Sequence, residues 1–215
     1  MMPKIVVVDY GLGNLKSVSR AIEYCDGKPE ISSDPKIIAS AKKIILPGVG
    51  AFGEGMKRLK ELHLDRAIKE AVENGSYLLG ICLGMQMLLD DSEEFGLQEG
   101  LGLIKGSVKK IEFTDDFGRS NRKIPHIGWS PIFCNPKRGN WSDSILSNIP
   151  EGSSVYFVHS YKASPINDAE IIAISNYDGV KISAVVGNEN VLGMQFHPEK
   201  SGPVGLQMIK NYLDY

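Results

Sequence analysis

Cys82 lies between two glycines in the run Tyr77-Leu78-Leu79-Gly80-Ile81-Cys82-Leu83-Gly84-Met85-Gln86. An apolar stretch long enough for a buried strand leads into it, and the helix-favouring Met85–Leu89 follows. That is the G-x-nucleophile-x-G form of a strand-to-helix elbow, with sulfur in place of a hydroxyl. Such a strained turn requires glycine at its flanks, where a side chain would collide. A helix starting just past the sulfur would aim free amides and the positive end of its dipole at it, favouring the thiolate. Read alone, the same residues describe equally well a core cysteine beside a tight turn.

A cysteine nucleophile needs a base, and the chain has four histidines: His63, His126, His159 and His197. His63 falls in the helical pattern Glu61–Asp65 and is expected at the surface. His197 closes an apolar strand pattern and is followed by Pro198 and Glu199. Residues two apart in extended chain share a face, roughly 7 Å apart along the backbone, so Glu199 is expected to reach back to the imidazole. A carboxylate there fixes the tautomer and steadies the imidazolium. A third feature is Pro47-Gly48-Val49-Gly50-Ala51-Phe52-Gly53, after the strand-like Lys43–Leu46. Its uncovered backbone N–H groups suit an oxyanion site, and the pattern also fits a plain flexible loop. Nucleophile, base, orienter and anion stabiliser together point to acyl transfer through a thioester, completed by water.

These residues must be positioned by a scaffold. Ile5–Val8 reads as a buried strand running into the turn Asp9–Asn14, and Leu15, Val18, Ile22 and Cys25 recur at helical spacing. Gly11-x-Gly13 lacks the third glycine and the acidic residue of a dinucleotide fingerprint, so it reads as a tight turn. After the Lys43–Leu46 strand come two helical patterns, through Met56, Leu59 and Leu62 and through Leu64, Ala67, Ile68, Ala71 and Val72, then the strand carrying Cys82. This alternation predicts an α/β fold with a doubly wound, mostly parallel sheet, whose site lies at the carboxyl ends of the strands. Beyond Asp91 the pattern changes. Gly96–Gly106 is glycine-rich, Val108–Phe113 is strand-like, and the polar Thr114–Lys123 is expected to be an exposed hairpin loop. Shorter strands are expected at 155–158, 171–174, 183–186 and 191–196, before a closing helix through Val204, Leu206, Met208, Ile209 and Leu213. A single domain over residues 1–215, with an antiparallel part added to the parallel sheet, accounts for the whole pattern.

Composition narrows the classes of partner. With 42% hydrophobic and 23% charged residues and a net charge of −2, nothing in the 215 residues calls for nucleic acid or an anionic membrane. Cys25, Cys82 and Cys134 form neither a zinc pattern nor a disulfide framework, so no metal or cofactor is expected, and the compartment is a reducing cytoplasm. The amino terminus lacks the form of a signal peptide, and no apolar run reaches membrane-spanning length.

Two motifs carry a resemblance. Gly80–Gly84 with Gln86, and Gln195-Phe196-His197-Pro198-Glu199, closely resemble the elbow and base motifs of the class I (triad) glutamine amidotransferases. The resemblance implies their flavodoxin-like fold and the hydrolysis of glutamine to glutamate and ammonia. Within that family, Asp9–Leu15, Pro47–Phe52, Pro125–Trp129, Tyr156–Tyr161 and His197–Ser201 are similar to the glutaminase subunits of imidazole glycerol phosphate synthases. This similarity implies a heterodimer with a separate (β/α)8-barrel cyclase, which receives ammonia through a tunnel. The pair would form imidazole glycerol phosphate and aminoimidazole carboxamide ribonucleotide in histidine synthesis.

By the same resemblance Cys82 attacks the carboxamide, His197 shuttles the proton and Glu199 orients it. Val49, Gly50 and Leu83 match the oxyanion site, whose loop would flip a peptide in response to the cyclase's ligand. Gln86, Glu94, His159, Ser160 and Tyr161 match the glutamine cradle, with Glu94 facing the α-ammonium. Trp129, Tyr156 and Lys200 match positions facing the cyclase. Ser130 departs from the asparagine usual after Gly-Trp. Glu93-Glu94-Phe95-Gly96 and the insert before Pro125 resemble a related branch that supplies ammonia for amidine formation on amino sugars of surface polysaccharides. A catalytically silent interaction module on the same fold is the third reading, against which the intact Cys82, His197 and Glu199 set stands.

Overall fold

The computed structural model describes residues 4–113 and 123–215. The expected hairpin loop at Thr114–Lys123 lies outside the described residues except for Lys123. The first half alternates strand and helix: β1 (Lys4–Val8), α1 (Leu15–Tyr24), β2 (Lys28–Ser32), α2 (Pro35–Ala39), β3 (Lys43–Gly48), α3 (Phe52–Glu61), α4 (Leu64–Glu73), β4 (Tyr77–Cys82) and α5 (Leu83–Met87). The second half is mostly strand: β5 (Asp91–Ser92), β6 (Gln98–Glu99), β7 (Gly106–Lys110), β8 (His126–Pro131), β9 (Phe133–Cys134), β10 (Ser154–His159), β11 (Tyr161–Pro165), β12 (Ile171–Tyr177), β13 (Val180–Asn188) and β14 (Val191–Met194). Helix α6 (Gly202–Asp214) closes the chain.

The central sheet has eight strands in the order β2-β1-β3-β4-β14-β13-β12-β9. Its first five strands pair in parallel, and the last three add in antiparallel fashion through β13. The chain thus builds the mostly parallel α/β fold with an antiparallel extension that the sequence predicts. Strands of a parallel sheet are covered on both faces, which is why they read as unbroken apolar runs. In β1, Ile5 and Val7 enter one core with α1 and α6, while Val6 and Val8 enter the other with α3, α4 and α5. A two-stranded pair, β8–β10, and a four-stranded sheet, β11-β7-β5-β6, stand beside this frame.

Strand β2 and helix α2 carry no clear periodic signal in the sequence. Strand β2 is an edge strand paired only with β1, and Lys28, Pro29 and Glu30 never need to meet a core, so it carries no hydrophobic period. Helix α2 is a single turn that buries Ile38, capped by the Asp34 side chain on the Lys36 amide. Among the described residues no helix is long and apolar enough to cross a membrane.

Candidate active site

Strand β4 delivers Cys82 to the carboxyl edge of the parallel sheet, opposite Gly48 at the end of β3. The cysteine takes φ +55° and ψ −109°, a conformation that costs a non-glycine residue about 1–3 kcal/mol and recurs at functional turns. Both elbow glycines are required by contact. A Cβ on Gly84 would lie 1.8 Å from the Leu46 carbonyl oxygen, and one on Gly80 would lie 2.7 Å from the Gly84 carbonyl. The helix after the elbow is shorter than the sequence pattern implies. Helix α5 ends at Met87 after five residues, because Leu88 and Leu89 turn into the hydrogen bonds of the 100–104 loop. A single turn has only a weak macrodipole, so the electrostatics at the sulfur rest chiefly on the histidine beside it.

That histidine is His197. Its Nδ1 donates to Glu199 Oε1 at 2.8 Å, with both side chains almost fully buried. The expected contact forms by a different route: Pro198–Lys200 is a 3₁₀ turn, not extended chain, and it folds Glu199 back under the ring. With Nδ1 committed, the buried Nε2 has no nitrogen or oxygen partner and is left for the Cys82 sulfur. Burial works to lower the imidazole pKa, but Cys82 and Glu199 outweigh it and hold the ring at about 9. The ring is therefore an imidazolium at neutral pH.

The residues expected around this centre converge on one cavity of about 280 Å³, lined by Val49, Gly50, Cys82, Leu83, Gln86, Glu94, Pro125, Val158, His159, Ser160, Tyr161 and His197. Glu199 stands behind His197, outside that lining. Gln86 donates through Nε2 to the Tyr161 carbonyl and to Gln195 Oε1, both at 3.0 Å. Glu94 is half-buried after β5, and its Oε2 accepts from the Phe52 amide at 2.6 Å, at the first turn of α3. Its carboxylate thus sits at the mouth of the cavity and also ties down the glycine loop's far end. Tyr10 anchors the near end, its hydroxyl donating to the Pro47 carbonyl at 2.8 Å.

Trp129, Tyr156 and Lys200 lie outside the cavity and form a cluster of their own. The Trp129 and Tyr156 rings meet edge-on at 6.0 Å, and Lys200 Nζ stands 6.0 Å from the Tyr156 ring. Trp129 is 57% exposed and Ile127 is 58% exposed, an apolar face on β8. His63 is exposed, as expected, although it sits in a left-handed turn between α3 and α4 rather than inside a helix. It borders a larger open groove of about 490 Å³ between α2 and α4, where the Ser40 hydroxyl is tied to the Lys36 and Ile37 carbonyls. Among the described residues no cluster of histidine, cysteine and carboxylate side chains could hold a metal ion.

Two contributors escaped the sequence reading. The Gln195 amide stands 3.9 Å from the Cys82 sulfur. Ser201 Oγ donates to the His197 carbonyl at 2.6 Å and accepts from the Tyr156 amide at 3.0 Å, locking the base to β10. Gln195 had a signal, its place in the Gln-Phe-His-Pro-Glu run. Ser201 had none, since its role depends on β10 lying beside the 3₁₀ turn.

The class-I glutamine amidotransferase family model matches residues 6–214. The imidazole glycerol phosphate synthase subunit HisH 1 of Legionella pneumophila (strain Lens) is 49% identical over 212 residues, covering 99% of both chains. A HisH subunit of Geobacillus sp. (strain WCH70) is 48% identical over 97% of this chain and 95% of its own. Among solved structures, PurLQS from Thermotoga maritima superposes with a TM-score of 0.74 at 23% identity, covering 100% of this chain and 99% of the other, a likeness of fold.

Proposed function

Because this chain belongs to the class-I glutamine amidotransferase family, we propose that it is the glutaminase subunit of an imidazole glycerol phosphate synthase. It releases ammonia from glutamine and passes it to a cyclase partner in histidine synthesis. The observation that carries the reading is the buried His197–Glu199 pair, bonded at 2.8 Å, whose free Nε2 faces Cys82 inside a cavity with an uncovered glycine loop.

The chemistry follows from that arrangement. Cys82 sulfur adds to the δ-carboxamide carbon, and the negative charge on the oxygen is met by the amides of the Val49–Gly50 loop and of Leu83. His197 gives its Nε2 proton to the departing nitrogen, the C–N bond breaks, and ammonia leaves a Cys82 thioester. Water then attacks the thioester with His197 taking its proton, and glutamate is released as the sulfur departs. Glu199 holds the ring and balances its charge throughout. Glu94 supplies the counter-charge to the α-ammonium. The carbonyl of Tyr161 and the side chain of Gln86 shape the floor of the cradle.

The partner is a (β/α)8-barrel cyclase docking on the face marked by Trp129, Tyr156 and Lys200, and turnover without it is low, since ammonia released alone is wasted. A cytoplasmic location accompanies this reading, as three free thiols suit a reducing compartment. The test is genetic and chemical together. The gene should restore growth without histidine to a strain lacking this subunit, and the Cys82→Ala variant should not. Failure to complement, with glutaminase activity intact, would move the ammonia to the amino-sugar branch instead.

A further inference from the structure

His126 and His159 are buried, lie outside the Cys82–His197–Glu199 chemistry and contact one another. His126 Nδ1 is 3.0 Å from His159 Nε2, His126 Nε2 is 2.9 Å from Ser130 Oγ, and His159 Nδ1 is 2.8 Å from the Tyr161 carbonyl. The carbonyl settles every proton in this series, because it can only accept. His159 must therefore carry its proton on Nδ1 and accept at Nε2. His126 must then donate from Nδ1 and accept at Nε2, and Ser130 must donate its hydroxyl hydrogen. The same Tyr161 carbonyl accepts from Gln86.

Several observations show a built array. The His126 ring is sandwiched between Phe157 at 4.7 Å and Tyr177 at 4.0 Å, both nearly parallel to it. Residues four apart on an ordinary strand are roughly 13 Å apart along the chain. Gly128, within β8 between His126 and Ser130, takes φ +138°, a backbone conformation side-chain-bearing residues rarely adopt, and the two side chains meet across it. Burial holds both rings neutral, His159 at about 3 and His126 at about 4, with the His197 charge adding to the effect on His159. A second cation in place of neutral His159 would oppose the protonated base.

We propose that Ser130, His126 and His159 form a one-way hydrogen-bond chain that positions the glutamine-binding corner at Ser160–Tyr161, with the Ser130 hydroxyl closing its outer end beside Trp129. This rests on the glutaminase reading of the site, adds Ser130 and His126 to it as positioning residues, and gives His159 the same role. Without the Ser130 hydroxyl, His126 Nε2 becomes a buried acceptor with no donor. Moving the ring proton to Nε2 would leave a buried donor with no acceptor there and set two lone pairs face to face at the His126–His159 contact. The chain has no good second arrangement.

The experiment uses the protein assembled with its cyclase. ¹⁵N NMR of the histidine rings should find both His126 and His159 protonated on Nδ1. Ser130→Ala should leave His126 protonated on Nδ1, move its Nε2 ¹⁵N shift to that of a ring nitrogen with no donor, and raise the KM for glutamine about tenfold, the worth of one buried hydrogen bond. Product formation from added ammonia should be unchanged, and Ser130→Thr should restore both the His126 Nε2 shift and the KM. Either ring protonated on Nε2 in the unaltered protein would overturn the proposal. So would a Ser130→Ala protein whose His126 Nε2 shift and KM do not move, or whose KM rises only in step with weaker cyclase binding. Absence of glutaminase in the unaltered assembly would instead refute the site reading, while the ring tautomers would still report on the chain.

Discussion

At the scale of single residues the site is organised by what surrounds one imidazole. His197 is buried, which on its own would favour the neutral ring, yet Cys82 and Glu199 raise it to about 9. The sign of the pH dependence follows. The proton that the leaving nitrogen needs is on the ring throughout neutral pH, and it is lost as pH rises through about 9, so kcat/KM should fall there. Glu199→Gln removes one of the two raising partners and should move this alkaline limb to lower pH. It should also cut kcat/KM by about 10²–10⁴-fold, the usual worth of positioned proton transfer. A pH–rate profile of the variant in the assembled enzyme checks both. If the limb stays in place, Glu199 does not tune the base. Glu94 is separable in the same way. Glu94→Gln keeps an oxygen for the Phe52 amide but loses the charge, so it should raise the KM for glutamine while leaving kcat nearly intact, whereas Glu94→Ala frees the loop and should lower kcat as well.

At the scale of elements, the elbow works because β3, β4 and α5 approach more closely than side chains allow. Gly84→Ala places a Cβ 1.8 Å from the Leu46 carbonyl oxygen, a backbone group that cannot rotate away. The expected cost is about 3 kcal/mol or more, read as a large fall in the urea midpoint. The 3₁₀ turn at Pro198–Lys200 is held by Ser201, whose hydroxyl bridges the His197 carbonyl and the Tyr156 amide. Ser201→Ala leaves the Tyr156 amide without this partner and the His197 carbonyl with only the Lys200 amide, and should cost about 1–3 kcal/mol. Because one of those groups belongs to the base, glutaminase activity should fall further than stability alone would predict. Activity unchanged at a temperature well below the melting point would show the tie to be merely structural.

At the scale of the whole molecule, the cavity and the apolar face on β8 and β10 share strand β10. Val158, His159 and Ser160 line the cavity, while Tyr156, two residues before Val158, meets Trp129 of β8 outside it. Trp129 is mostly exposed, so Trp129→Ala should leave the melting temperature almost unchanged. It should weaken cyclase binding by about 2 kcal/mol, as truncation of an aromatic anchor does, measurable by titration calorimetry. Glutamine hydrolysis without the cyclase should be low and unaffected.

Much of this was legible in the chain because it depends on local chemistry. Gly80–Gly84 specifies a strained turn whatever surrounds it, His197-Pro198-Glu199 puts base and carboxylate within reach of one another, and unbroken β-branched runs announce strands buried on both faces. The family follows from those short segments, since their spacing needs no knowledge of the fold. Other features depend on which distant segments meet. An edge strand such as β2 has no hydrophobic period to display, because only one of its sides is paired. Ser201 and Tyr10 are ordinary polar residues until a particular amide or carbonyl is brought to them from far along the chain. A hydrogen bond is directional and reaches about 3 Å, so its partner is decided only when tertiary packing closes that distance.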